Sequence, residues 1–292
     1  MTILFGELTL PHGQTIIKMW KVDIPPQKRT FRQHLHTRFE ISVINSGSGE
    51  YATEQKVYPI CPGDVFVFSS NEVHCITKIC DEGLSITNLH FEPQYLNEKD
   101  SFFSEESLIR FCFFHAPEFE NRIPAKQSEL LRKHHAMIRQ ELAEKKHGYS
   151  LSVKSHLNLM LLELLRNHNY EAAGSPKQNI TLTNILPVYD YIETHLCEDL
   201  HLDRLAAIAG LSPNYFSHVF RYLNGVTLWN YITSKRIEKA VQLICRDDSS
   251  LTMLEIAMEC GFNNTVNFNK AFKKQTGVTP SELKRNPKLL MH

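Results

Sequence analysis

The sequence predicts an α+β multidomain protein. Its N-terminal part is a small antiparallel β-barrel followed by a helical hairpin, and its C-terminal part is an all-α domain of two helix-turn-helix units joined by a long helix. Three observations carry this reading. The first ninety residues hold half of the chain's twelve glycines and run in short β-branched or aromatic bursts. Apolar residues at helical spacing take over from about Lys126, and the last hundred residues contain an internal repeat.

Over residues 1–125 the bursts FEISVINSGSGEYAT, KVYPICPGDVFVF and SITNLHFEP are separated by turn signals, the pattern of a barrel or sandwich. Residues 126–170 follow as two helical stretches broken only at Gly148-Tyr149. One carries Leu130, Leu131, Met137, Ile138 and Leu142, and the other Val153, Leu157, Met160, Leu161 and Leu164. These stripes either cover the barrel or pair with a second copy of the chain. EAAGSPKQN, within 171–180, is small and polar and reads as a linker, leaving 181–292 as helices.

The repeat pairs LDRLAAIAGLSPNYFSHVFRYLNGVT with LTMLEIAMECGFNNTVNFNKAFKKQTGVT. Leu205, Ala206 and Gly210 map to Ile256, Ala257 and Gly261 at an offset of 51, and Phe216, Phe220 and Gly225 map to Phe268, Phe272 and Gly277 at 52. Each copy reads as a helix-turn-helix, at about 202–224 and 251–276. A small alanine permits a close helix crossing, a glycine allows a left-handed turn, and Ser212 or Asn263 caps the second helix.

Two phenylalanines four residues apart face the core of each unit. The opposite face of the first second-helix carries Asn214, Ser217, His218 and Arg221. Its counterpart carries Thr265, Val266, Asn267, Asn269, Lys270, Lys273 and Lys274. Short polar and cationic side chains of this kind read base edges and clamp phosphates in a major groove; the bland alternative is a packed helical pair with a solvated face. Leu228 to Asp248, with Trp229, Ile232, Ile237, Ala240, Val241 and Ile244 on one stripe, predicts a connector helix. Twenty residues of helix span ~30 Å, close to the ~34 Å turn of B-DNA.

The blocks LAAIAGLSPNYFSHVF, RIEKA and IAMECGFNNTVNFNKAFKKQTGVTP, within about Asn184 to Pro287, resemble the AraC/XylS transcription regulators. Asn264 departs from the commoner Asp or Ser, and Ser281-Glu282-Leu283-Lys284 replaces the usual tyrosine-arginine ending. The resemblance implies that Asn214, Ser217, His218, Thr265, Val266, Asn269 and Lys270 point at bases. It also implies double-stranded DNA, a small-molecule effector, RNA polymerase and a second copy of the chain as partners, with activation the family habit.

In the N-terminal part, His34, His36 and Glu40 share strand parity if the strand is unbulged, and His74 follows eleven residues after Gly63. The spacing H-x-H-x3-E-x6-G with a distant histidine resembles the cupin barrel, so the fold class becomes a cupin-like barrel. Lys28, Ser69, Asn71 and Lys78 depart from its two motifs. Three readings stay open for the quartet His34, His36, Glu40 and His74: a polar lining for a small polyhydroxylated effector, extended by Arg32 and His90; a site for a divalent transition metal; or relic packing. No cofactor is required by the first, and a sugar or short oligosaccharide fits it. A metal-dependent cupin enzyme would use the same four residues, but the fused repeat gives the barrel another job, and no G-x-S-x-G, P-loop or G-x-G-x-x-G occurs. No enzyme activity is expected. A barrel serving only as a dimerisation scaffold for a constitutive or repressing DNA binder is the remaining alternative.

Composition sets the outer limits. Thirty-two basic residues balance thirty-two acidic ones, which excludes a uniformly basic coat protein. The balance is uneven along the chain: residues 261–292 hold six bases against the single acid Glu282, while 180–260 hold six against ten. Seven cysteines without a C-x-x-C pair, an N-terminus lacking a signal-type apolar stretch, and no apolar run long enough for a bilayer predict a cytoplasmic protein with no membrane partner.

Overall fold

The computed structural model describes residues 2–9, 15–26, 36–70, 72–92, 119–169, 185–224, 226–245 and 251–286. Contacts divide the chain into two compact units, residues 1–31 with 38–176, and residues 32–37 with 177–292.

The first unit is one antiparallel sheet. Its strands are β1 (Thr2–Thr9), β2 (Thr15–Ile24), β3 (Phe39–Thr53), β4 (Val57–Ile60), β5 (Val65–Phe68), β6 (His74–Phe91) and β7 (Arg122–Ile123). They lie in the order β1-β2-β6-β3-β5-β7, with β4 also on β3. β3 and β6 pair from Phe39↔Phe91 to Thr53↔His74, with register shifts at Ile44/Ser46, Gly47/Gly49 and Glu50/Tyr51. Such irregularities bend a ladder and raise its twist, and here they let the sheet roll around one core. Val22, Ile24, Ile44, Tyr51, Tyr58, Phe66, Phe68, Ile76 and Ile86, from five strands, meet in a single cluster. Gly47 takes φ 88° at one of these register shifts, where a Cβ would lie 2.0 Å from the Gly83 carbonyl oxygen.

Strand parity sorts the side chains. Glu40, Ser42 and Ile44 on β3 face inward beside Ile86, Asn88 and His90 on β6. The alternate residues Ile41, Val43 and Leu89 are buried too, which is why ISVI and VFVF read as continuous apolar runs. Their cover includes helix α1 (Glu129–Glu144), which runs antiparallel to α2 (Tyr149–Asn167). α1 buries Leu131, His135, Ile138 and Leu142, and α2 buries Val153, Leu157, Met160, Leu161 and Leu164. The sheet accepts α1 closely at Gly6, where a Cβ would lie 2.6 Å from the Leu142 carbonyl oxygen.

The second unit is helical: α3 (Leu186–Thr194), α4 (Leu202–Ile208), α5 (Pro213–Asn224), α6 (Leu228–Ile244), α7 (Met253–Glu259), α8 (Thr265–Thr276) and α9 (Pro280–Arg285). The two turns repeat each other. Gly210 and Gly261 take φ 68° and 79°. Leu211 N–H bonds to Ala206 O and Phe262 N–H to Ala257 O, each at 2.9 Å. That six-to-one closure with a left-handed glycine is the Schellman ending.

Phe216 and Phe220 are fully buried with Tyr189 and Tyr231, while Phe268 and Phe272 are buried with Ile237, Ala240, Ile256, Ala257 and Leu283. Two sequence expectations are corrected here. The cap of α8 is Asn264, whose side chain accepts from Asn267 N–H at 2.8 Å, and not Asn263; Asn264 is the residue that matches Ser212 at the offset of 52. The connector α6 has 17 residues, so it spans ~26 Å, because Thr227 caps it and Cys245 ends it.

Candidate effector site and nucleic-acid interface

Glu40 is the centre of the polar end of the barrel, and it is only 3% exposed. An ionised carboxylate at such a depth requires donors around it. His90 Nε2–H donates to Glu40 Oε2 at 2.7 Å, and His74 Nε2 stands 3.4 Å from the same oxygen. Ser42 Oγ lies 2.5 Å from Glu40 Oε1 and 2.9 Å from Asn88 Oδ1. One hydroxyl proton cannot serve two acceptors, and turning the Asn88 amide satisfies both sides.

His74 is held from behind, its Nδ1–H donating to the Glu72 carbonyl at 2.9 Å. Its ring stacks on Phe68 with centroids 4.0 Å apart. Burial opposes charging this imidazole, but the Glu40 carboxylate and the Glu72 carbonyl outweigh it, so its pKa is raised. Tyr51, in the same cluster, is pushed well above the ordinary phenol range by burial and then by the Glu40 charge. Trp20 meets His90 edge-on at 4.5 Å, with Lys18 Nζ 6.0 Å from the Trp20 ring centre.

The structure therefore brings together His36, Glu40 and His90 of the residues picked from the sequence, with His74 against the same Glu40 carboxylate. Arg32 and His34 lie outside the described residues. His36 falls in the stretch 32–37 that groups with the second unit, and it precedes β3, which begins at Phe39. His36 therefore lies off the strand, yet one of its ring nitrogens comes within 4.8 Å of the ligand atoms of both Glu40 and His90, as the sequence expected of His36 and Glu40. Sequence reasoning missed Ser42, Asn88 and Trp20. Parity would have found the first two, since Ser42 stands two residues after Glu40 and Asn88 two before His90.

Carboxylate and imidazole donors meeting at one point are a donor set that suits a divalent transition ion. The Nδ1–H bond of His74 to a carbonyl, which leaves Nε2 directed inward, is the orienting contact such ligands use. The chemistry of His36, Glu40 and His90, whose ligand atoms lie within 4.8 Å of one another, fits a metal. It fits a polyhydroxylated molecule as well, because acceptors and donors sit beside aromatic faces.

On the second unit the two candidate reading faces are built alike. Asn214, His218 and Arg221 are exposed on α5 and Ser217 is half-buried. On α8, Val266, Asn267, Asn269, Lys270, Lys273 and Lys274 are exposed and Thr265 is half-buried. Val266 is 73% exposed. The two helix-turn-helix units are tied by Arg236 of α6. Its Nε donates to Leu196 O at 2.9 Å and its Nη2 to Glu198 O at 2.8 Å. A Cβ on Gly261 would lie 2.9 Å from the Arg236 guanidinium carbon.

Among the described residues no helix is long and apolar enough to cross a membrane. Two family models match the chain, an AraC-like ligand binding domain over residues 24–161 and a helix-turn-helix domain over 205–286. The transcriptional activator RhaS of Pectobacterium atrosepticum is 22% identical over 282 residues, covering 95% of this chain and 97% of that protein. The activator RhaR of Escherichia coli is 24% identical, covering 86% of each. Among solved structures, ToxT of Vibrio cholerae superposes with a TM-score of 0.62 at 12% identity over 95% of this chain and all of that one. An unsaturated fatty acid-bound form of ToxT gives 0.57 at 14% identity, covering 94% and 95%.

Proposed function

Since the chain belongs to the AraC/XylS transcription regulators through both its ligand-binding and its helix-turn-helix domain, we propose that it is a cytoplasmic, effector-responsive activator with no catalytic activity of its own. The observation that carries this is the pairing of two repeated, exposed reading faces on α5 and α8 with a buried, polar, aromatic-flanked cluster in the barrel. Activation is supported by the activators RhaS and RhaR among its relatives.

The effector of this reading is a sugar or short oligosaccharide. Its hydroxyls would exchange hydrogen bonds with Glu40, Ser42, Asn88 and His90, and a C–H face would pack on Trp20. A divalent transition ion, if one is held, would sit on His36, Glu40 and His90 and supply a fixed positive charge for hydroxyl oxygens. Binding would act by favouring one arrangement of the DNA-binding units over another, which requires differential affinity for the two.

A second copy of the chain would dock on α2. Leu151 is 69% exposed and Leu159 44%, on one stripe two turns apart, and such apolar exposure is a feature of interfaces. Each copy would place α5 and α8 in neighbouring major grooves and meet RNA polymerase at the promoter.

Titration calorimetry against a sugar panel, with and without chelator, tests the effector reading. Saturable heat with a sugar, lost in Glu40→Gln, is expected. No heat from any sugar, together with no bound metal, would instead favour a barrel that only supports dimerisation.

A further inference from the structure

Away from the barrel interior, the seam between α1 and α2 holds a second cluster of ligating side chains. His134 Nδ1 and His156 Nδ1 stand 3.0 Å apart, with ring centroids 5.2 Å apart and planes 35° from parallel. One histidine comes from each helix. The register that brings them together is fixed further along the seam, where Ser152 Oγ donates to Glu141 Oε1 at 3.0 Å. It is fixed from below by the fully buried Leu131, Ile138, Leu142, Val153, Leu157 and Leu161. The two rings are half-buried, so an ion and its water can reach them.

We propose that His134 and His156 chelate a divalent transition ion of the Zn²⁺, Ni²⁺ or Cu²⁺ type through their Nδ1 atoms, stapling α1 to α2. Two imidazole nitrogens each ~2.0–2.1 Å from one ion lie roughly 2.9–3.4 Å apart for angles between square and tetrahedral, and the pair already stands within that span. In the ion-free molecule one nitrogen must carry a proton that it donates to the other. The ion replaces that proton, and neither backbone has to move.

Imidazole pairs suit these three ions and are poor ligands for Mg²⁺ or Ca²⁺. Burial, with the neighbouring His156 and Lys133 charges, lowers the His134 pKa against the pull of Glu163, leaving it uncharged near neutrality. Glu163 lies two turns beyond His156 on the same flank of α2. Its carboxylate accepts from Asn167 Nδ2 at 2.8 Å and adds negative potential along the seam. Water fills the other coordination positions.

Calorimetric titration of the full chain with ZnCl₂ tests this. The wild type is expected to bind one equivalent that His134→Gln and His156→Gln each weaken at least tenfold. Glu40→Gln is expected to leave that equivalent intact, which separates the seam from the barrel cluster, and His156→Cys to retain it because a thiolate also ligates zinc. Should the glutamine variants fail to fold, imidazole ¹⁵N spectra of the wild type decide the matter: one equivalent of Zn²⁺ should shift the Nδ1 resonances of His134 and His156. Superimposable isotherms for wild type and both glutamine variants, or unmoved Nδ1 resonances, would overturn the assignment.

Discussion

Two fully buried histidines of the first unit titrate in opposite directions. His135, under α1, is driven down to about 3 by burial and then by the Arg139 charge, against the Ile41 and Thr87 backbone carbonyls. Its folded pKa lies below the ordinary ~6.5, so between those values the unfolded chain binds a proton that the folded one refuses. Stability is lost as pH falls through that window, at up to ~1.4 kcal/mol per pH unit. Urea midpoints of His135→Gln measured from pH 7 to 4 should show a flatter acid limb than wild type.

His74 behaves inversely. Its raised folded pKa means that its contribution is complete below ~6.5 and fades as pH rises through the folded value. Glu40→Gln removes the carboxylate and leaves burial opposed only by Glu72, so the His74 pKa, followed by NMR, should fall. An unchanged His74 titration in that variant would contradict the Glu40 contact. His36, Glu40, His74 and His90 were legible from residue type and spacing. Ser42 and Asn88 carried only the weaker signal of strand parity, two residues from Glu40 and His90, because small polar residues on a strand have no chemistry-specific spacing of their own.

At the level of elements, the repeat made α4, α5, α7 and α8 readable, since two copies of one pattern fix each other's turns. The caps were less so. Thr252 and Thr279 form capping boxes with Glu255 and Glu282, signatures present in the sequence as T-x-x-E, while the cap of α8 was displaced by one residue because the repeat contains an insertion there. Thr279→Ala should cost about 1 kcal/mol, read as a lower denaturation midpoint.

On the proposed reading helix α8 two kinds of contact are expected. Lys270→Ala should weaken binding to a specific site, whereas Lys273→Ala should lower affinity for every sequence and make the salt slope shallower by ~1 unit. Fluorescence anisotropy over a salt series distinguishes them, and equal affinities in both variants and wild type would remove α8 from the interface.

For the molecule as a whole, two separate cores stand out, the rolled sheet with its hairpin and the helical unit around α6. Leu151→Glu with Leu159→Glu should turn a dimer into a monomer in sedimentation velocity without lowering the helical content. The balanced charge of the whole chain conceals a basic C-terminal part, so DNA affinity should depend on having two reading units more than on bulk field.

Arg236 turns the connector α6 from a spacer into a gauge of phase. Its guanidinium grips Leu196 and Glu198 on one side and closes on Gly261 on the other, so the angular setting of α8 against α5 is locked to the helical pitch of α6. One residue inserted into α6 would advance its far end by ~1.5 Å and turn it by about 100°, aiming the second reading helix away from the groove. In the proposed DNA-bound arrangement the distance between the two groove contacts would be quantised by a protein helix, and operators would have to match it base pair by base pair.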